Sequence, residues 1–299
     1  MAQTRFRPDR GLSARMALTM LLLAALYVVL IVAISQYTSG GWWLGLIIGV
    51  GAFWAQWYFS DTLALRAMRA REVTPEEAPD LHAMVDRLCA QANMPKPRVA
   101  IADVDLPNAF ATGRSPQRAV VCATTGLMRR LSKEELEGVV AHELSHVAHR
   151  DVTVMTIASV VGLLAGLLTR IALWGGMGRQ RDNNAAMVAL MVTVVAIVVY
   201  AVSFLLTRLL SRYRELAADR AGAILTGQPS QLANALTKIT GQMSQIPTRD
   251  LRAAEPYNAF FVVPALTGKA DLGSLFASHP PLEKRLDQLA KISVELGRE

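Results

Sequence analysis

Charged side chains are missing altogether from Met16 to Ser60, a run of 45 residues without Asp, Glu, Lys, Arg or His. Such a run excludes a solvated surface segment. Across the whole chain only 18% of residues are charged while 52% are apolar, which argues against a wholly soluble protein. Cysteine is nearly absent. Cys89 and Cys122 fit no close metal-binding spacing and read as small buried apolar residues in a reducing compartment, not as a disulfide framework. Basic residues outnumber acidic ones for a formal net charge of +7, yet no basic patch interleaved with aromatics is present, so nucleic acid is excluded as a partner. The excess is largely arginine flanking apolar runs, where attraction to anionic lipid explains it. The first apolar run lacks a small-residue cleavage site and a second follows at once, so it is not read as a cleaved signal peptide. Internal repeats and low-complexity tracts are also lacking.

The uncharged run is divided by the polar patch "SQYTSGG" at 35–41 into two helices, 16–34 and 42–60. Each is near the roughly 20 residues that cross a bilayer core. A second pair is expected at Val152 to Thr169 and Asn183 to Thr207. Arg5, Arg7, Arg10 and Arg15 precede the first span and Arg66, Arg69 and Arg71 follow the second, which puts both ends of that hairpin in the cytoplasm. The second hairpin is less asymmetric, with Arg170, Arg179 and Arg181 in its turn against Arg208, Arg212 and Arg214 beyond it; the first pair decides the topology. The expected organisation is therefore an N-terminal region with hairpin 1 (1–60), a soluble portion (61–151), hairpin 2 (152–207) and a second soluble portion (208–299).

In the first soluble portion, Thr74 and Pro75 signal a helix start, with Leu81, Met84, Val85 and Leu88 on one face. "RVAIAD" (98–103) and "RAVVCATT" (118–125) read as strands flanking "LPNAFATGRSPQ", whose Asn, Gly, Ser and Pro content marks turns. An edge strand of that small sheet would offer unpaired backbone groups to an extended peptide. Ser132 and Glu135 form a capping box, with Leu131 and Leu136 as a hydrophobic staple, so a helix starts near Lys133. Nothing obvious stops it before Asp151, and a continuous run into the third span is open. The second soluble portion opens on the helix pattern "RLLSRYRELAADRAGAILTG" and closes on "PPLEKRLDQLAKISVEL", with Leu282, Leu286 and Leu289 on one face.

The helix from Lys133 carries "HELSH". His142 and His146, four apart, project from one face, so both imidazoles can reach one ion. Zinc suits two neutral imidazoles and a carboxylate with a fourth position left to water, and Glu143, beside the first imidazole, can serve as general base. His149 lies on about the same face, but a third ligand from one helix would need the metal near two turns at once. Glu215, in "RELAAD", is the better third ligand. It stands eight residues beyond Thr207, and His146 stands six before the third span, or about 12 Å and 9 Å from the membrane boundary along their helices. Two helices leaving one hairpin would bring them together. Asp219, one turn on, either accepts the free ring proton of a ligand histidine or pairs with Arg212 or Arg220; Asp151 either supports the site or marks the membrane edge. For the transition-state oxyanion the donors with suitable chemistry are His279, Tyr257 and Arg285.

"HELSH" joined to "RELAAD" across an apolar hairpin, with "LPNAFATG", "TTGLMRRLSKEELEGVVAHE" and "HPPLEKR", resembles the HtpX family of membrane-bound zinc metalloproteases over essentially the whole chain. A more distant similarity is to the prenyl-protein endopeptidases that share the gluzincin-type site. The resemblance implies a mainly α integral membrane protein with four transmembrane helices in two hairpins and a cytoplasmic zincin-like α+β protease domain with a small β-sheet. It further implies a bacterial inner-membrane endopeptidase with one zinc ion per chain, able to cleave itself. Its partners would be the lipid bilayer and misfolded, damaged or unfolded polypeptides met under stress. By position, His142, His146 and Glu215 match the ligands, Glu143 and His279 the catalytic groups, and Asp219 the acidic residue one turn after the third ligand. Asn108, Ala109 and Phe110 match a substrate-binding edge, and Arg285 matches a residue near the cleft. Two other functions remain open on the residues alone: processing of lipidated or prenylated peptides, and a non-enzymatic membrane scaffold or chaperone-like adaptor.

Overall fold

The computed structural model of the chain describes residues 9–37, 57–150, 183–243 and 279–297, with isolated positions at 47, 50, 51, 54, 55 and 154. The chain is mainly helical with one small mixed sheet and divides into two units, one of residues 1–12, 59–153 and 211–299, the other of residues 13–58 and 154–210.

Helix α1 (Arg10–Tyr37), which lies in the second unit from Ser13 onward, begins six residues before the span read from hydropathy, because Asp9 accepts the Leu12 N–H at 2.8 Å and caps it. Helix α6 (Asn183–Thr226) joins the fourth expected span and the helix pattern beyond Thr207 in one helix of 44 residues, whose part from Ser211 onward belongs to the first unit. Within the second unit the two helices meet where Leu23 and Leu26 pack with Ala196, Val199 and Leu206. Their remaining faces are bare and apolar, with Leu21 68%, Leu190 60% and Met191 61% exposed. Exposed apolar surface on that scale suits lipid, not water. Among the described residues, two stretches, Arg10–Val29 and Leu190–Thr226, are long and apolar enough to cross a membrane. The second and third expected spans lie outside the described residues, apart from scattered positions.

The first unit supplies the rest. Helix α2 (Ser60–Ala67) leads to strand β1 (Ala70–Glu72), a short strand without a periodic signal of its own. Arg98 ties the two by ion pairs to Asp61 and Glu72. Helix α3 (Pro79–Ala92) starts later than Thr74, since Glu77 and Ala78 close a separate turn on Thr74 and Pro79 opens the helix. Its Leu81, Met84, Val85 and Leu88 are buried as the spacing predicts. Strands β2 (Arg98–Ala102), β3 (Ala109–Thr112) and β4 (Val120–Thr124) complete a sheet of order β1-β2-β4-β3. β2 and β4 run parallel; the other pairs are antiparallel. β3 occupies residues read as turns. The turn formers Pro107, Asn108, Gly113 and Pro116 flank it, and the four residues between them are free to pair with β4.

Helix α4 (Thr125–Arg130) follows, capped by Thr124 on the Leu127 N–H. Helix α5 (Lys133–His149) begins on the expected box: Ser132 accepts the Glu135 N–H and Glu135 accepts the Ser132 N–H. Lys238 then closes on the buried Glu135 carboxylate at 2.7 Å. α5 does not continue toward a span. Arg150 takes a left-handed conformation (φ 56°) and ends it at His149. Helices α7 (Pro229–Met243) and α8 (Leu282–Leu296) close the unit. Leu232, Leu236, Ile239, Leu289 and Ile292 form one core with Val139 of α5. Leu88, Val121, Val140 and Leu144 form another between α3, the sheet and the opposite face of α5. α5 is thereby gripped on two sides, and its remaining face carries the polar residues.

Candidate metal centre

That face meets α6. His142 and His146 stand one turn apart with rings at 89° and centroids 4.9 Å apart. Glu215 reaches both: its Oε2 lies 3.6 Å from His142 Nε2 and its Oε1 lies 3.6 Å from His146 Nε2. All three side chains are buried, and their ligand atoms lie within 4.8 Å of one another. Two donors about 2.05 Å from a tetrahedral ion stand about 3.4 Å apart, close to the observed spacing.

The donor set fits a divalent cation on two further grounds. His142 Nε2 is buried without a hydrogen-bond partner, since 3.6 Å to a carboxylate oxygen is too long for a hydrogen bond. The buried charges around the triad are also unbalanced. Among the described residues the buried carboxyl groups of Glu143, Glu215 and Asp219 outnumber the one fully buried guanidinium, Arg285, an excess that a bound cation or a proton on His142 would offset. Among the protein groups alone, burial disfavours a charged His142 ring, but Asp219 and Glu215 outweigh it and raise the pKa to about 10. Burial likewise works to raise Glu215, yet His279 and His142 hold its carboxyl well below the usual range.

The surrounding residues separate into distinct positions. Glu143 faces β3, where its Oε2 accepts the Ala111 N–H at 2.9 Å, and burial pushes its carboxyl up. Asp219 Oδ1 lies 2.9 Å from His142 Nδ1, so the His142 ring is bracketed by a carboxylate at each nitrogen. Asp219 pairs with neither Arg212 nor Arg220. Its partner is Arg285 of α8, which donates from Nε to Oδ2 and from Nη2 to Oδ1, both at 2.7 Å. Arg285, expected beside the substrate cleft, is only 2% exposed, because its guanidinium serves this pair. His279 Nδ1 sits 3.0 Å from Glu215 Oε2. Tyr257 and Asp151 lie outside the described residues.

Asn108, Ala109 and Phe110 are each no more than 2% exposed. Their side chains are interior, and what β3 can present is backbone. Thr124 N–H bonds to Asn108 C=O, and strand alternation then turns the polar groups of Ala109 and Ala111 away from β4. No strand covers that edge among the described residues. Two contacts escaped the sequence: the backbone N–H of Ala111 on Glu143, which no residue type announces, and Gly222. Gly222 follows Glu215 by seven residues, so the helical repeat puts it on the same face of α6.

Residues 75–293 match the peptidase family M48. The chain is 56% identical over 296 residues to "Protease HtpX homolog 1" of Streptomyces coelicolor, covering 99% of this chain and 97% of that one. It is 52% identical over 291 residues to "Protease HtpX homolog" of Moorella thermoacetica, covering 96% of each. Among solved structures it resembles Ste24p of S. mikatae, with a TM-score of 0.55 at 18% identity, covering 93% of this chain and 66% of the length of that one. At that identity the last likeness concerns the fold.

Proposed function

The chain belongs to peptidase family M48 as an HtpX protease homologue and is a membrane-associated metalloprotease acting on polypeptides; from that premise we propose that it is a zinc endopeptidase with His142, His146 and Glu215 as ligands of one ion per chain. The observation that carries this reading is the convergence of those three buried side chains within 4.8 Å. Zinc held there would supply Lewis acidity, making water nucleophilic near neutral pH and polarising the scissile carbonyl.

The protein's own residues do the rest. Glu143 takes the proton of the attacking water and returns it to the leaving amine. The Ala111 N–H supports this role by holding the carboxylate in one orientation without protonating it. Asp219 accepts the Nδ1 proton of His142, which leaves Nε2 as the ligand atom. His279, whose Nδ1 lies 3.0 Å from Glu215 Oε2, is the donor to the tetrahedral oxyanion. The substrate adds as a strand along β3, bonded through the outward backbone groups of Ala109 and the Ala111 carbonyl, with Asn108 and Phe110 fixing the edge from inside the core. Backbone recognition reads shape and extension more than sequence, which suits misfolded or damaged membrane proteins and unfolded chains. Arg285 acts from within the protein.

For topology we propose two hairpins, 1–60 and 152–207, that anchor protease segments 61–151 and 208–299 in a bacterial inner membrane with the active site toward the cytoplasm. The support is the arginine at both ends of the first hairpin and the exposed apolar faces of α1 and α6. The test is cleavage of an unfolded protein by the purified chain in detergent. Zinc at one equivalent should give fragments, a chelator should stop them and re-added zinc should restore them. Binding of the polypeptide without fragments under all three conditions would favour an adaptor.

A further inference from the structure

His142 is approached by two residues that neither hold a metal nor move a proton in the reading above. The first is Gly222. A β-carbon built at that position would lie 2.9 Å from His142 N and 3.2 Å from both His142 Cα and Ala141 C. Those are backbone atoms of α5, packed from behind by the cores of α3 and α7, so they cannot rotate aside. Any side chain at 222 would push α6 off α5 at the residue that carries the first imidazole. The second is Arg285, whose two hydrogen bonds at 2.7 Å fix both oxygens of Asp219, a residue that is itself 0% exposed and 2.9 Å from the His142 ring. Without the guanidinium, Asp219 would be a buried carboxylate free to rotate or shift away from Nδ1.

We propose that Gly222 and Arg285 are positioning residues for His142: Gly222 sets the distance between the two ligand-bearing helices, and Arg285, through Asp219, sets the orientation of the ring. Glu215, Asp219 and Gly222 follow one another at helical spacing along α6, so one helix face carries a ligand, a ring anchor and a spacer in succession. α8, from the far end of the chain, then contributes to metal retention without touching the metal. The inference rests on His142 being a ligand.

Its test reads metal affinity, not proteolysis. The full-length chain in detergent is titrated with Zn2+ in competition with a chromophoric chelator, and helix content and unfolding are followed in parallel. Gly222→Ala is expected to weaken zinc binding at least tenfold, and Arg285→Met by about 10- to 100-fold, the range found when the support of a metal ligand is removed. Arg285→Lys, which keeps the charge but not the two-pronged geometry, should fall between wild type and Arg285→Met; if the methionine variant does not fold, the lysine variant decides. Gly138→Ala is the control. It sits on α5, one turn before His142, where a β-carbon would come within 3.2 Å of Leu232 on α7, and its three nearest neighbours are all atoms of that residue and none of α6. It should lower the unfolding temperature and leave zinc affinity unchanged. Folded Gly222→Ala and Arg285 variants that bind zinc like wild type, while Glu215→Ala loses it, would overturn the proposal and leave the metal site standing. Equal weakening by Gly138→Ala would also overturn it, since generic loosening would then suffice. Zinc retained by folded Glu215→Ala would instead strike at the ligand set itself.

Discussion

Replacing Glu143 by glutamine changes one oxygen into an amide nitrogen in a side chain that is 5% exposed, so its shape stays and its basicity goes. Glutamine keeps a carbonyl oxygen to accept the Ala111 N–H, now bonded to the carboxylate at 2.9 Å. A hydrogen bond to a charged group contributes about 1.5–3 kcal/mol and a neutral one about 0.5–1.5, so roughly 1 kcal/mol is lost there, offset by no longer burying a charge. Unfolding temperature should therefore move by only a few degrees. Zinc content should stay near one per chain, because the three proposed ligands are untouched. Catalysis loses its proton carrier. General acid–base assistance contributes about 10²–10⁴-fold, or about 3–5 kcal/mol of transition-state stabilisation. The assay is the initial rate of fragment formation from a fluorescently labelled unfolded protein in detergent, with metal analysis of the same preparation. A Glu143→Gln variant cleaving within tenfold of wild type would refute the general-base role. Loss of zinc together with activity would make Glu143 part of the metal-holding structure.

Two further outcomes test the scaffold. Glu135 caps α5 on the Ser132 N–H and also pairs with the half-exposed Lys238, so Glu135→Gln, which keeps the cap, should cost under about 1 kcal/mol. Glu135→Ala, which loses both, should cost about 1–2 kcal/mol more in thermal unfolding, and equal losses from the two variants would show that the capping bond contributes nothing. Burial pushes the thiols of Cys89 and Cys122 up to about 11 and about 12 from an ordinary value near 9, so both should resist maleimide at pH 8 until the chain unfolds. Because these folded values exceed the unfolded ones, their contribution to stability is constant below about pH 9 and declines as pH rises toward 12. A Cys89→Ala, Cys122→Ala chain should show a shallower alkaline loss, and an unchanged slope would contradict this.

Local chemistry was readable in the sequence where a short repeat encoded it. The capping box before α5, the buried stripe of α3, and the shared facing of His142 and His146 follow from helical spacing and stand as expected in the structure, while the approach of Glu215 is read from matching heights along two helices. Features fixed by distant partners were not readable. Asp219 stands beside a histidine ring as one reading had it, but in place of Arg212 or Arg220 the arginine it takes lies 66 residues away on α8. β3 looked like turn because a four-residue strand between turn formers has no periodicity to detect, and only β4 gives its backbone a reason to extend. The end of α5 was hidden because the residue that turns left-handed is Arg150, where glycine would have signalled it. Continuity of α6 past Thr207 was legible, since the height of Glu215 is counted as helical rise from that residue, and one helix carries both stretches.

X-ray absorption at the zinc edge of the loaded, full-length chain tests most directly whether α5 and α6 share one ion. Two imidazole nitrogens at about 2.0–2.1 Å and carboxylate or water oxygens at about 2.0–2.2 Å are expected, with the signal lost or remodelled in Glu215→Ala. Sulfur neighbours, three or more imidazoles, or a spectrum unchanged in Glu215→Ala would contradict it.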